Sequence, residues 1–467
     1  MTMVLPSFAD LWTGPTAYAQ TFAAGLDPAG LGHAQQQARL AALLGACVRS
    51  PFYQRRLRGT GRSAPRLADC EPVTKSELMN GFDDWCTDRA ITRRSVEAFV
   101  ADPARLAQPY LGRYCVWTSS GTSGVPGIFV QDAQCLAAYD ALDLLRLRGG
   151  PQAWWPIAAW GLGQRFAFVA ATGGHFAGVV AMQRQRRLAW STESHAVGIF
   201  SIQQPWPSLM RSLQAHEPTV LITYPSAAAA LAEQQARGAL KLRLAEVWLG
   251  GEQLTAAQRQ QIGAAFGCPL RNNYGASEFF SIAWECARGR LHLNSDWLIL
   301  EPVDQRLQPV AAGVPSHAVL LTNLANRTQP LLRYRLDDSV CMAPARCACG
   351  SAFAAIEVQG RAEQSLCLRN GRGGEVVLLP LALMTVIEEG AGVTQFQLLQ
   401  TGSASLQVRF ESTESGGANA FVRVRRALEG FLATQGLRGI EIRHSRAAPQ
   451  RHARSGKLSR VVKLSAP

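Results

Sequence analysis

Apolar residues in the first part of the chain recur at the spacing of a helix. Successive members of the set Ala38, Leu40, Leu43, Leu44 and Cys47 lie one to three positions apart, a spacing that places apolar side chains along one face of a helix. The chain up to about residue 60 is therefore predicted to be helical.

The pattern changes from about residue 110 to about residue 300, where strand-like and helical stretches alternate. Continuous apolar runs at 166–170, 219–224 and 246–249 predict buried strands, and 226–236 and 256–266 predict helices. Such alternation is typical of a largely parallel α/β sheet, with ligands bound at the glycine-rich loops where the strands end.

Short strand-like pieces then run to Gly360, after which the composition changes again. A tight turn at 370–374, a helix from Pro380, strands near 395–400 and 405–410 and a helix over 418–435 predict a small α+β domain. The predicted fold is α/β, with a large N-terminal domain of several subdomains over residues 1–361 and a small α+β C-terminal domain over residues 362–467.

Composition fits a globular enzyme without a membrane span. The chain has 467 residues and is 47% hydrophobic and 17% charged, enough for a large interior and two or three domains. The most apolar region, 154–182, is interrupted by Arg165 and His175, so a bilayer span is not expected. The first residues lack a secretory pattern and the eleven cysteines are scattered, which favours a reducing compartment and the cytoplasm.

The net charge of +13 comes almost entirely from arginine. It suits a phosphorylated cofactor or an acidic carrier protein. Neither the aromatic and basic interleaving of RNA-binding proteins nor a DNA-reading zinc-finger spacing is present, so nucleic acid is not the expected partner. Only four of the 47 basic residues are lysines: Lys75, Lys241, Lys457 and Lys463.

A glycine- and serine-rich loop follows an apolar strand-like stretch that ends at Trp117. We call it the phosphate loop, and its sequence is Ser119-Ser120-Gly121-Thr122-Ser123-Gly124-Val125-Pro126-Gly127. Glycines let successive backbone N–H groups point inward, and hydroxyls add donors for the oxygens of a polyphosphate. No Gly-Lys-Ser/Thr closes it, so it is not a Walker loop. From this segment alone, an ordinary mobile surface loop is as good an interpretation as a phosphate-binding loop.

Five further motifs follow the phosphate loop. They are Gly250-Gly251-Glu252, Asn272-Asn273-Tyr274-Gly275-Ala276-Ser277-Glu278, Arg333-Tyr334-Arg335-Leu336-Asp337-Asp338, Gly360-Arg361-Ala362-Glu363 and Ser455-Gly456-Lys457. Each alone is a weak signal. In this order and at these separations they resemble the adenylate-forming superfamily, and more closely its phenylacetate-CoA ligase-like branch, from about Ser50 to the C-terminus.

The resemblance implies an enzyme in which a carboxylate attacks the α-phosphate of ATP to give an acyl-AMP. Repulsion between the anions and the need for in-line alignment make up most of that barrier, so cations and fixed dipoles are required. By the resemblance, Thr122 would be the direct ligand of the phosphates and Glu278 would hold Mg²⁺. The ATP-binding residues implied are Ser119, Ser120, Gly121, Thr122, Ser123, Gly124, Gly250, Gly251, Glu252, Asn273, Tyr274, Asp338 and Arg361. Among them Tyr274 would stack on adenine and Asp338 would accept both ribose hydroxyls.

The same resemblance assigns two roles to the C-terminal domain. Lys457 would touch both the carboxylate and the α-phosphate, which suits a point charge on a flexible stem. Glu363 matches the hinge about which the small domain swings before a thiol attacks the adenylate. A solvated lysine in a basic tail and an ordinary surface glutamate are the alternatives. Two departures from the family are Gly127, where many relatives have Lys or Thr, and Glu363-Gln364, where Asp-Asp is usual.

Four soft ligands suggest a structural metal. Cys286 and His292 belong to one strand-turn-strand pattern and Cys347 and Cys349 form a compact pair, so two hairpins could close a tetrahedral zinc site. On the residues alone, separate buried cysteines are the commoner case. The branch often carries such a site, and the resemblance therefore favours zinc, with Cys341 as the substitute ligand.

Family position also places Tyr224, His175, Phe176 and Gly275 in the acyl pocket. Aromatic residues at such places are often plain core. The branch prefers aryl and arylacetic acids, so the expected substrate is a small aromatic carboxylic acid, such as a hydroxybenzoate. The acceptor is coenzyme A or, alternatively, the phosphopantetheine thiol of an acyl carrier protein. A catalytically silent nucleotide-binding partner and a homodimer remain open.

Overall fold

In the computed structural model of the protein, the structure describes residues 8–58, 66–119, 126–148, 164–188, 196–359, 366–370, 374–393, 396–410, 417–450 and 459–463. The helices are α1 (Phe8–Leu26), α2 (His33–Cys47), α3 (Pro51–Arg58), α4 (Lys75–Asn80), α5 (Phe82–Trp85), α6 (Arg93–Val100), α7 (Ala133–Leu142), α8 (Ala177–Leu188), α9 (Trp206–His216), α10 (Pro225–Ala236), α11 (Ala256–Phe266), α12 (Pro380–Ala391) and α13 (Gly417–Thr434). Short helical turns lie at Pro28–Gly32, Leu67–Asp69, Pro103–Arg105 and Asp143–Arg148.

The strands, in chain order, are β1 (Cys115–Thr118), β2 (Ile128–Gln131), β3 (Phe166–Ala170), β4 (Val197–Ser201), β5 (Val220–Thr223), β6 (Glu246–Gly250), β7 (Leu270–Ala276), β8 (Phe279–Glu285), β9 (Leu291–Leu293), β10 (Leu298–Val303), β11 (Ala318–Asn323), β12 (Leu331–Leu336), β13 (Ser339–Met342), β14 (Ala355–Gln359), β15 (Leu366–Arg369), β16 (Glu375–Leu378), β17 (Phe396–Gly402), β18 (Ser405–Phe410), β19 (Glu441–Ser445) and β20 (Val461–Lys463).

The chain forms two compact units. The first consists of residues 1–119, 127–163 and 271–359, and the second of residues 120–126, 164–270 and 360–467. The chain therefore leaves the first unit and returns to it, and residues 360–467 belong to the same unit as 164–270. The division into domains at residue 361 stays a prediction.

The first unit is built from antiparallel strands and the N-terminal helices. Within it β7, β8, β9, β14 and β13 pair in that order, β10, β11 and β12 form a second sheet, and β1 pairs with β2. Large rings fill its interior: Trp85, Trp117, Tyr53, Tyr334 and Phe82 are all less than 3% exposed. Burying each such side chain stabilises the fold by about 2–3 kcal/mol. This packed interior carries β1, which leads into the phosphate loop. It also carries β8, which begins directly after Glu278.

The second unit contains the predicted parallel sheet, in which β6, β5, β3 and β4 pair in that order. Val169, Val220 and Leu221 are fully buried, as expected for parallel strands that are covered on both faces. The helix predicted at 256–266 is α11, and its ends have clear causes. Thr255 caps its first turn in a box with Gln258, and Gly267 ends it at φ +64, a left-handed conformation that glycine adopts without strain.

The rest of the second unit is the α+β segment predicted after Gly360. Strands β19, β18, β17 and β20 form one sheet, with β17 and β18 antiparallel and both outer pairs parallel. One core cluster includes residues of the parallel sheet, such as Leu221, together with residues of this segment, such as Leu383 and Leu398. No helix in the described ranges is long and apolar enough to cross a membrane.

Candidate active site and metal centre

Both ends of the phosphate loop are fixed in the first unit. The Ser119 backbone N–H donates to the Gly127 carbonyl over 2.8 Å, and the Gly127 N–H donates to Ser119 Oγ over 2.8 Å. Packing explains why residue 127 is a glycine. A Cβ there would lie 2.8 Å from the Phe129 ring, so Phe129 occupies the space that a side chain at residue 127 would need.

A lysine to which the sequence assigned no role lies at the start of this loop. The ammonium of Lys75 is 3.5 Å from Ser119 Oγ. Lys75 is the first residue of α4, after a capping box between Thr74 and Glu77. A cation is unfavourable at a helix N-terminus, so the stability of α4 does not explain Lys75. Its rarity in an arginine-rich chain was the signal available in the sequence.

In the second unit, the Gly250-Gly251-Glu252 motif begins at the last residue of β6. Gly251 has φ +79, and a Cβ on it would lie 3.0 Å from the Tyr224 ring. The Glu252 carboxylate accepts the Ser226 N–H and the Ser226 hydroxyl, both over 3.0 Å, and so caps α10. The structure thus brings Tyr224, predicted for the acyl pocket, against Gly251, predicted for adenine binding.

In the first unit, Tyr274 and Asp338 meet. The Tyr274 hydroxyl donates to Asp338 Oδ2 over 2.9 Å. Burial, and then the Asp338 charge, raise the pKa of Tyr274 well above its usual value, so the hydroxyl stays protonated and remains a donor. Asn272, which lies two residues before Tyr274 in the same motif and was assigned no role, has a buried Oδ1 without a hydrogen-bond partner among the described residues. A buried acceptor left in that state costs stability unless a ligand or a water molecule supplies the donor.

Glu278 is buried beside this segment and is 5% exposed. Its carboxylate accepts the Tyr334 hydroxyl over 2.7 Å, and burial together with the Glu278 charge raises the pKa of Tyr334. Strand β7, which precedes Glu278, needs a glycine where its pairing with β8 shifts register between Tyr274 and Ala276. A Cβ on Gly275 would lie 2.1 Å from the Phe280 carbonyl oxygen, closer than two such atoms can approach.

The other residues predicted for the acyl pocket lie in the second unit, just before α8. His175 is 3% exposed and Phe176 is half-buried. The Glu389 carboxylate lies against Gly173, two residues before His175. A Cβ on Gly173 would lie 2.6 Å from Glu389 Oε2. Burial, and then Glu388, raise the pKa of Glu389. Gly275, the remaining residue predicted for the acyl pocket, belongs to the first unit.

Several predicted site residues lie outside the described residues. They are Ser120, Gly121, Thr122, Ser123, Gly124, Arg361, Glu363 and Lys457. Their roles stay predictions.

The four predicted metal ligands come together in the first unit. One ligand atom from each of Cys286, His292, Cys347 and Cys349 can be chosen so that all lie within 4.8 Å of one another. Cys286 Sγ and Cys347 Sγ are 3.9 Å apart, and Cys349 Sγ is 3.3 Å from His292 Nε2. We call these four residues the Cys–His cluster, and Cys341 is not part of it.

Neighbouring groups favour the ligating forms of His292 and Cys347. His292 Nδ1 lies 2.8 Å from the Phe353 carbonyl; donating its proton there leaves the Nε2 lone pair directed at the cluster. Burial lowers the pKa of His292, which favours the neutral, ligating form. A hydrogen bond from the Cys349 backbone lowers the pKa of Cys347, and thiolates are the ligating form of cysteine.

Comparison of the sequence with known proteins gives a match over a small part of the chain. No protein-family model matches the chain. Over 94 residues it is 31% identical to Protein CapK of Staphylococcus aureus, a match that covers 20% of this chain and 19% of that protein.

Solved structures match over nearly the whole chain. 2-Hydroxyisobutyryl-CoA ligase, in complex with 2-HIB-AMP and CoA in the thioesterification state, has a TM-score of 0.55 at 21% identity, over 92% of this chain and 90% of that one. The same ligase in the postadenylation state with 2-HIB-AMP has a TM-score of 0.52 at 20% identity, over 92% and 88%. The chain therefore has the fold of the adenylate-forming ligases.

Proposed function

We propose that the protein activates a carboxylic acid with ATP as an acyl-AMP and transfers the acyl group to the thiol of coenzyme A. The observation that carries the proposal is the hydrogen bond between Tyr274 and Asp338, which lie 64 positions apart in the sequence. It brings together the side chains that the motifs assign to adenine and to ribose. The fold supports the same reaction, since it is shared with a ligase solved with an acyl-AMP and CoA.

The nucleoside would be held from one side by Tyr274 and its neighbours. The Tyr274 ring would stack on adenine and Asn273 would lie alongside, with Gly250, Gly251 and Glu252 contributing backbone. The Oδ1 of Asn272, which has no partner among the described residues, would accept a hydrogen bond from the adenine amino group. Asp338 would accept the ribose hydroxyls, which suits a carboxylate with several acceptor sites.

The phosphates would bind at the phosphate loop. Ser119 to Gly124 would direct N–H and hydroxyl donors at their oxygens, with Thr122 as the direct ligand and Arg361 as a further cation. Glu278 is a hard oxygen ligand of the kind that Mg²⁺ takes in nucleotide sites, and Mg²⁺ neutralises phosphate charge. Its buried carboxylate already holds one proton donor, Tyr334, which orients it.

Lys75 is expected to add a cation at the same loop, because its ammonium already lies 3.5 Å from Ser119 Oγ. Lys75→Ala should raise the KM for ATP about tenfold and leave the KM for the acid within about twofold, since a charge-assisted hydrogen bond contributes about 1.5–3 kcal/mol. Steady-state kinetics with each substrate varied in turn measures this. Lys241→Ala removes an exposed lysine of the second unit and is the control. An unchanged KM for ATP in Lys75→Ala would contradict the assignment.

The acyl chemistry would depend on Lys457, which would bring one positive charge to both reacting anions. Glu363 would act as the hinge that removes Lys457 before the thiol attacks. The acyl pocket would include Tyr224, His175, Phe176 and Gly275. Phe176 and Tyr224 supply aromatic faces, which supports an aromatic acid such as a hydroxybenzoate as the substrate.

The acceptor has one alternative. The +13 charge of the chain would attract the acidic surface of an acyl carrier protein as readily as the phosphates of CoA. Mass spectrometry of products formed from ATP, Mg²⁺ and each acid of a panel, with either CoA or a carrier protein bearing phosphopantetheine, separates the two. AMP together with a thioester on CoA is the expected result. A thioester formed only on the carrier would transfer the proposal to that acceptor, and ATP binding without product would favour a silent partner.

The Cys–His cluster would hold a structural zinc ion. A tetrahedral zinc site with Zn–S distances of about 2.3 Å places two sulfur ligands about 3.8 Å apart, and Cys286 and Cys347 lie 3.9 Å apart. Three thiols and one imidazole are also the donor set typical of zinc sites. Bound there, zinc would tie the turn after Cys286 to the turn that carries Cys347 and Cys349.

Cys349→Ser should remove the metal, because serine is a poor ligand at neutral pH. Metal analysis of the purified protein should find about one zinc per chain in the wild type and nearly none in this variant. Cys341→Ser is the matched control, since Cys341 lies outside the cluster, and it should keep its zinc. Equal zinc content in the two variants, or none in gently purified wild type, would contradict the site.

A further inference from the structure

A chain of hydrogen bonds runs through the first unit from Arg146 to Asn273. Arg146 Nη1 donates to Asn294 Oδ1 over 2.6 Å. Asn294 Nδ2 donates to the Ser281 carbonyl over 2.7 Å and to Ser281 Oγ over 3.3 Å. The Ser281 hydroxyl then donates to Asn273 Oδ1 over 2.8 Å. Asn273 immediately precedes Tyr274.

The orientation of the Asn294 amide follows from the first member of this chain. A guanidinium has donors only, so Asn294 must present its oxygen to Arg146 and its amino group to Ser281. Ser281 Oγ accepts from that amino group and donates its own proton to Asn273 Oδ1. One fixed cation therefore sets the orientation of the Asn294 amide, and the Ser281 hydroxyl links that amide to Asn273.

The start of the chain is anchored firmly. Asp296 accepts from both terminal nitrogens of Arg146, over 2.6 and 2.8 Å, and the guanidinium lies 4.4 Å from the centre of the Phe353 ring. Arg146, Asn294 and Ser281 are 6%, 0% and 7% exposed. Water does not replace a bond lost at such depth, so each link constrains the next.

The far end of the chain holds the segment assigned to adenine. Asn273 is held by Ser281, and the next residue, Tyr274, is held through its hydroxyl by Asp338. Two successive residues are thus fixed by two separate partners. Ser281 holds the side-chain amide of Asn273, and Asp338 holds the hydroxyl of Tyr274. Fixing a ring before its ligand arrives reduces the ordering cost of binding.

We propose that Ser281 and Asn294 are positioning residues for nucleotide binding: they hold Asn273, and through it the Tyr274 ring, in the orientation that receives the adenine base. This inference rests on the proposed function, because it takes Asn273 and Tyr274 as part of the adenine site. Neither Ser281 nor Asn294 belongs to any of the sequence motifs.

The test compares variants of the full chain by calorimetric titration with ATP and Mg²⁺. Ser281→Ala should raise the Kd for ATP about three- to tenfold, the effect of losing one buried hydrogen bond. Turnover at saturating ATP should stay within about twofold, because the reacting atoms are not touched. Ser281→Thr keeps the hydroxyl and should restore the affinity. Asn294→Asp keeps the acceptor for Arg146 but loses the donor to Ser281, and should weaken ATP binding in the same way.

Ser50→Ala is the matched control. Ser50 is a fully buried serine of the first unit whose hydroxyl donates to the Asp84 carbonyl over 3.0 Å. It should lower the melting temperature about as much as Ser281→Ala without changing the Kd for ATP. A Ser281→Ala protein that binds ATP as the wild type does, or that loses turnover with its Kd unchanged, would overturn the inference and leave the proposed function standing. A wild type that does not bind ATP would overturn both.

Discussion

Lys457→Ala is expected to abolish acyl-adenylate formation while ATP binding survives. The two reacting groups are anions, and a positive charge that touches both is most valuable when they are closest, in the transition state. We expect the rate of adenylate formation to fall by at least about a hundredfold, as when one preorganised electrostatic contact is lost. The Kd for ATP should change by less than about threefold, because the charge acts mainly on the transition state.

Two further variants sharpen this prediction. Lys457→Arg keeps the charge but replaces a compact ammonium with a planar fork, so it should recover little activity. Lys463→Ala removes an exposed lysine of β20, six residues later, and should behave as the wild type. Pre-steady-state quench of the reaction with the acid and ATP measures the adenylate directly. Normal adenylate formation in Lys457→Ala would show that the lysine has no part in the first half-reaction.

The second large effect is expected at Glu278. Glu278→Gln keeps the size and one acceptor of the side chain but removes the charge that would hold Mg²⁺. Transition-state charge on the phosphates would then lose several kcal/mol of stabilisation from the metal, so kcat/KM for ATP should fall at least about a hundredfold. Raising the Mg²⁺ concentration should restore part of the activity, because the defect is in metal affinity.

Tyr334→Phe separates the charge of Glu278 from its orientation. It removes the hydroxyl that Glu278 accepts over 2.7 Å and leaves the carboxylate in place. The loss of one positioning hydrogen bond should cost about tenfold in kcat/KM. Equal losses in Tyr334→Phe and Glu278→Gln would mean that Glu278 supports the fold of the segment and does not hold the metal.

The sequence predicted the elements of the second unit well because their signals are local. Buried parallel strands are continuous apolar runs, so β3 appears at 166–170 as predicted, and α11 has the bounds 256–266 because Thr255 and Gly267 mark its ends. The strand order of the first unit depends on pairing between distant segments, such as β9 with β14. Nothing local in the sequence encodes that pairing.

The site divides in the same way. The Cys–His cluster was predicted only through the resemblance, because on the residues alone separate buried cysteines are the commoner case. The roles of Lys75 and Asn272 could not be predicted, since the rarity of lysine and a place in a motif do not show which groups surround each side chain. The chain from Arg146 to Asn273 joins residues 148 positions apart in its first link, and its direction follows from donor chemistry that appears only in three dimensions.

The departure at Gly127 shows how a packing cause can be hidden from a motif. The sequence showed a missing side chain where many relatives have Lys or Thr. The structure shows that the Phe129 ring fills the space that the side chain would need. Lys75, from a separate helix, places a cation 3.5 Å from Ser119 Oγ at the start of this loop.

The most direct test of the account is acid-dependent exchange of pyrophosphate into ATP. The full chain, with Mg²⁺, is assayed against benzoic, hydroxybenzoic, phenylacetic and fatty acids, and 2-hydroxyisobutyric acid is included. The account predicts strong exchange with one aromatic acid and its loss in Lys457→Ala. Protein that binds ATP yet shows no exchange with any acid would contradict adenylation. Exchange with an aliphatic acid alone would keep adenylation and overturn the aromatic substrate.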